Sequence, residues 1–203
     1  MAWTFYSATG EELIKDGGLS NIVDDTSPQL GGNLDMQARL LVGNGGSTGI
    51  AISAAGEVTM AAQPAFHAYS SSTQSNVTGD GTQATFVYGT EIFDQNADYD
   101  GTSTFTAPVT GRYYLAFAIR VEAGASATSF QSNIVTSNTN FNITIDPRGS
   151  DLNGSVRLGW SGLFNMDASD TVVIKVTVNG VGSDTSDFTD GEDSTWFSGF
   201  LVA

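Results

Sequence analysis

The chain has 203 residues and a formal net charge of −15, seven basic side chains standing against 22 acidic ones. That balance repels phosphate backbones and anionic lipid, so it argues against nucleic-acid binding and against attachment to an acidic membrane surface. There is no cysteine, which excludes disulfides, and no apolar run reaches the ~18 residues of a membrane-crossing helix.

Hydrophobic residues make up 40% and charged ones only 14%, with 24 glycines, a composition suited to short strands joined by tight turns. Residues 1–28 combine a short helical pattern, Gly10 to Lys15, with turn signals at Asp16-Gly-Gly18 and Asp24-Asp25-Thr-Ser-Pro28. No secretory signal is expected, since Met1 to Tyr6 has neither a basic start nor an apolar run. Trp3, Phe5 and Tyr6 are too apolar for a free tail. They read as an anchor on a larger body, the alternative being that they fold back onto their own domain.

Residues 29–63 carry short alternating pairs: Leu34-x-Met36, Leu40-x-Val42, Ile50-x-Ile52 and Val58-x-Met60. Each shows the period of two that marks a strand. A single thin layer buries too little surface to stand alone. Wound about an axis in three copies it would be covered, which predicts a short shaft or extended arm.

From residue 64 to 203 the pattern is that of a self-sufficient β domain. Strands are expected at Ala65–Ser70, Ala84–Tyr88, Glu91–Phe93, Gly101–Thr106, Gly111–Ala123, Thr139–Asp146, Gly154–Met166, Thr171–Val178 and Thr195–Val202. Within the fifth, Tyr113, Leu115, Phe117, Ile119 and Val121 should face the core. Asp193 to Ala203 holds Trp196, Phe197, Phe200 and Leu201, too apolar for a fraying end, so a strand in the middle of a sheet is expected. The fold class is all-β: an antiparallel two-sheet jelly roll behind an N-terminal β arm.

Two segments carry a family resemblance. Phe105-Thr-Ala-Pro-Val-Thr-Gly-Arg-Tyr-Tyr-Leu-Ala-Phe117 resembles the F-x-x-P-x-x-G-x-Y-x-F segment of complement component 1q globular heads, and Ser194 to Val202 resembles their closing S-T-F-S-G-F-L-L-like strand. The resemblance implies the jelly roll shared with tumour necrosis factor, and a homotrimer. Tyr69, Tyr88, Tyr114, Phe141 and Trp160 exceed what one sandwich needs to fill its core, so they are expected between subunits. Nearer the start, Asp24 to Met36 resembles a segment of bacteriophage tail-fibre and related virion proteins, and Gly49 to Met60 is similar to the hairpin repeats of trimeric fibre shafts.

Signs of catalysis are scarce. His67 is the one histidine and sits in a strand without a G-x-S-x-G elbow, so the chain is not expected to be an enzyme and needs no cofactor. Asp184, Asp187, Asp190, Glu192 and Asp193 crowd one loop, where Ca²⁺ is the candidate ion and a solvated acidic loop the alternative. Asn76, Asp80, Gln83 and Asp187 are the candidate receptor-binding loop residues.

The expected protein is a trimeric virion fibre of a bacteriophage, made in the host cytoplasm. Its N-terminal arm would hold other virion proteins, and its head would meet a host surface saccharide or protein. The alternative is a capsid-decorating protein that stabilises the shell.

Overall fold

A computed structural model of the chain describes residues 41–42, 49–122, 126–149, 155–183 and 186–203. They belong to one compact unit, Leu41–Ala203; Met1–Leu40 form another. Trp3, Phe5 and Tyr6, the pair Leu34/Met36 and the fibre-like segment from Asp24 to Met36 lie outside the described residues.

The unit begins with a small antiparallel sheet of β1 (Leu41–Val42), β2 (Gly49–Ile52) and β3 (Val58–Met60). Ile50 pairs with Met60 and Ile52 with Val58, so these four side chains share one face. Gln95 Nε2 donates to the carbonyls of Met60 and Ala61 at 2.8 and 3.0 Å, and Gln63 Nε2 to that of Leu201 at 2.7 Å. These bonds fix the small sheet to the base of the head.

The head is a sandwich of two antiparallel sheets. Its strands are β4 (Ala65–Tyr69), β5 (Gln74–Thr78), β6 (Ala84–Thr85), β7 (Thr90–Asp94), β8 (Phe105–Thr106), β9 (Gly111–Glu122), β10 (Ser129–Thr136), β11 (Asn140–Ile145), β12 (Ser155–Met166), β13 (Thr171–Asn179), β14 (Ser186–Thr189) and β15 (Trp196–Leu201). The smaller sheet runs β11-β10-β13-β6, with β8 also on β13. In the larger, β12 follows one side of β9 for its full length, while β15 and β14 share the other side. β4 and then β7 continue beyond β15, and β5 beyond β14.

Strand alternation builds the core. Tyr113, Leu115, Phe117, Ile119 and Val121 of β9 are buried, facing Val172, Ile174, Val176 and Val178 of β13 across one apolar cluster. Phe197 sits at its centre, with rings of Phe66 at 4.8 Å and Tyr88 at 5.8 Å. Gly199 is required by close approach: a Cβ there would lie 2.7 Å from Leu115 Cδ2 and 2.9 Å from Phe66 Cε1. The closing strand is therefore central, as expected, but only one of its faces is core. Phe197 and Gly199 point inward, whereas Trp196 and Phe200 point out.

Three strands differ from expectation by their absence from the sequence reading: β5, β10 and β14. In β10 the inward row is Phe130, Ser132, Ile134 and Thr136, and buried hydroxyls blur the apolar period. Gly101–Thr106 supplies only the two residues of β8, and Ala84–Tyr88 only those of β6. Phe86 and Tyr88 are still fully buried, because the extended chain after β6 continues across the core.

Candidate functional site

Directly opposed residues of antiparallel strands point to the same side, which makes the outer face of the larger sheet legible row by row. One row is Leu163, Tyr114, Phe200 and Ala65; the next is Ser161, Ala116, Ser198, His67 and Phe93; the third is Gly159, Ala118, Trp196, Tyr69 and Thr90. None of these residues carries a formal charge at neutral pH. Charge returns in the following row with Arg157 and Arg120, the latter paired to Glu122 at 3.3 Å.

The face is aromatic as well as uncharged. Tyr114 and Phe200 stack at 5.3 Å, and His67 lies between Trp196 at 5.7 Å and Phe93 at 6.2 Å. Leu163 is 64% exposed and Phe200 47%. On a chain of charge −15, an uncharged aromatic surface of this extent has the character of a contact surface between proteins.

A second apolar feature flanks it. β11 and β12 are the edges of the two sheets, so their inward side chains meet solvent at the open side of the sandwich. Phe141 and Trp160 stack there at 5.6 Å, with Phe164 edge-on to both at 5.2 and 5.9 Å. Phe141 and Trp160 remain exposed.

The five residues expected between subunits therefore divide. Tyr69 and Tyr114 lie on the outer face, and Phe141 and Trp160 on the edge. Tyr88 does not belong with them. It is 0% exposed, packed on Phe86 and Phe197 inside its own protomer, and burial raises its phenol well above the ordinary value. The sequence reading had no means of separating the two classes, because both are tyrosines in β patterns. It also missed Leu163 and Phe93 as parts of the same surface.

Two carboxylates of the acidic loop are engaged by the neighbouring strand region. Asp187 accepts the Asn76 N–H at 2.9 Å and Asp190 the Thr73 hydroxyl at 2.8 Å, so both carboxylates tie their loop to the β5 segment. Among the described residues no three of His, Asp and Glu converge on a metal-sized position, and Asp184 lies outside them. Asp100 serves its own turn. Burial works to raise its carboxyl, but N–H groups of Thr104, Ser103 and Thr102 outweigh burial and pull it below the usual range.

Of the candidate loop residues, Asn76 and Asp187 are brought together by that N–H bond, which holds Asn76 at φ 59°. Asp80 accepts the Thr82 N–H at 2.8 Å in the following turn, and Gln83 is exposed beyond it.

Burial draws the His67 imidazole below its ordinary value of 6.5, while the Glu192 carboxylate works to raise it. The unfolded chain then takes up the proton more readily than the folded one. The stability contributed by neutral His67 is complete above pH ~6.5 and lost as pH falls through the folded value. Thermal melting compared at about pH 7.5 and about pH 5.5 is expected to show a smaller acid-induced loss in His67→Gln than in the parent. Equal losses would remove His67 as the source.

Residues 65–202 match the family described as C1q domain. No curated protein matches the chain. Among solved structures, the globular domain of zebrafish complement 1qA protein is 19% identical, with a TM-score of 0.53 over 70% of this chain and 98% of its own. Murine APRIL at pH 8.0 is 9% identical, with a TM-score of 0.51 over 69% and 99%; at pH 5.0 its TM-score is 0.50. At such identities the likeness concerns the fold, which is the antiparallel jelly roll.

Proposed function

Because the chain belongs to the C1q domain family, we propose that it is a homotrimeric, non-enzymatic binding protein. In our reading it is a bacteriophage virion structural protein whose head meets a host surface receptor, saccharide or protein. The observation that carries the assembly is the uncharged aromatic face of the larger sheet beside the aromatic edge of β11 and β12. A face cannot cover itself by two-fold symmetry when the complementary feature is an edge elsewhere on the molecule. Face-to-edge contact is heterologous, and it closes when the rotation between copies returns to the start. Three copies then cover Leu163, Tyr114, Phe200 and His67 of each head with Phe141 and Trp160 of the next.

The virion role is supported by the resemblance of Asp24 to Met36 and Gly49 to Met60 to fibre segments. The loops around Asn76, Asp80, Gln83 and Asp187 are, in this reading, the first surface for a receptor. Sedimentation of the full chain at neutral pH is expected to give one species of three times 21.2 kDa. A stable species of protomer mass overturns the assembly. Immuno-electron microscopy of purified particles tests the rest. Label at the tail with binding of the labelled protein to host cells supports attachment. Label over the shell without cell binding supports capsid decoration, and unlabelled particles overturn the virion reading.

A further inference from the structure

The small sheet of β1, β2 and β3 exposes a face it has no means of covering. Ile52 is 52% and Val58 61% exposed, and Ile50 and Met60 beside them are exposed as well. Three short strands are too few to hold such a face in water without a partner layer. Above it the face runs into a cleft of about 440 Å³, closed on the head side by Pro108, Val109 and Leu201. Pro64 also lines that cleft, and it directly precedes Ala65, the end of the row of Leu163, Tyr114 and Phe200 on the head's outer face. The apolar surface is thus continuous from sheet to head.

We infer that this sheet is an assembly surface whose occupant is the same sheet of two further copies, packed apolar face to apolar face beneath the heads. The inference rests on the trimer proposed above. Two features favour a second copy over a foreign partner. Between residues 41 and 63 the only charged residue is Glu57, so three copies converge without the repulsion that the other acidic segments would bring. The sheet is also fastened to its head through Gln95, Gln63 and Asn96, whose Nδ2 donates to the Ala62 carbonyl at 3.1 Å. Bringing three heads together therefore places three such sheets at high effective concentration, which a foreign partner would have to exceed.

The chain contains no cysteine, so single thiols report on this directly. Ile52→Cys places a thiol on the apolar face; Thr59→Cys places one on the opposite face, since Thr59 pairs with Ala51 rather than with the apolar row. A disulfide needs Cβ atoms about 4 Å apart, so mild oxidation of the full chain should link Ile52→Cys into covalent dimers on the order of tenfold faster than Thr59→Cys. Native mass is measured on the same samples. Trimeric mass with fast, face-selective linkage supports the inference. Trimeric mass with no difference between the two thiols overturns it and leaves the head assembly standing. Protomer mass in the parent protein overturns both.

Discussion

Phe200→Glu is expected to convert the assembled protein into protomers of 21.2 kDa without unfolding them. The side chain is 47% exposed in the single chain and touches Tyr114, so its replacement removes little from the protomer. Between subunits the same change buries a carboxylate against an aromatic edge. An unpaired buried charge costs on the order of 4 kcal/mol, roughly a thousandfold in association. Sedimentation reads the mass, and circular dichroism reads the fold. A trimer that survives the substitution would mean that this face is not the interface. Trp160→Glu, on the opposing edge, should have the same effect for the same reason.

The larger loss of protomer stability is expected from Phe197→Ala. The ring is fully buried, edge-on to Phe66, and within ring-contact range of Tyr88 and Tyr99. Truncating a buried phenylalanine costs about 3–5 kcal/mol, from lost transfer energy and from the cavity left behind. For a domain of this size that corresponds to roughly 10–15 °C in melting temperature. Tyr88 and Tyr99 limit collapse of the cavity, because the Tyr99 hydroxyl is tied to the Tyr88 carbonyl at 3.1 Å. A melting temperature within about 3 °C of the parent would show that the cluster is less rigid than its packing implies.

The sandwich was legible in the sequence wherever one face of a strand was uniformly apolar. β9 is the clearest instance: its inward row from Tyr113 to Val121 was assigned residue by residue and is buried. β10 escaped because Ser132 and Thr136 occupy inward positions, and β14 because its inward residues are only Ser186 and Phe188. The candidate contact surface was half legible. Tyr69, Tyr114, Phe141 and Trp160 stood out as surplus aromatics, yet Tyr88 looked the same. What separates them is tertiary placement: strand pairing sends Tyr114 outward, while Tyr88 lies in the chain after β6 that crosses the core. The partners of the acidic loop were not legible at all, since Asp187 and Asp190 bond to Asn76 and Thr73, more than a hundred residues earlier in the chain.

The central place of β15 has a consequence for synthesis. β9 and β4 are made early but do not pair with each other; residues 196–201 separate them and hydrogen-bond to both. Until residues 196–201 have been synthesised, β9 and β4 lack the strand that joins them in the finished sheet. Such non-local closure is slow and leaves backbone available to neighbouring chains. Truncation anywhere before Trp196 therefore yields a product with two unsatisfied edges rather than a slightly shorter domain. Production of the head is, for this reason, all or nothing.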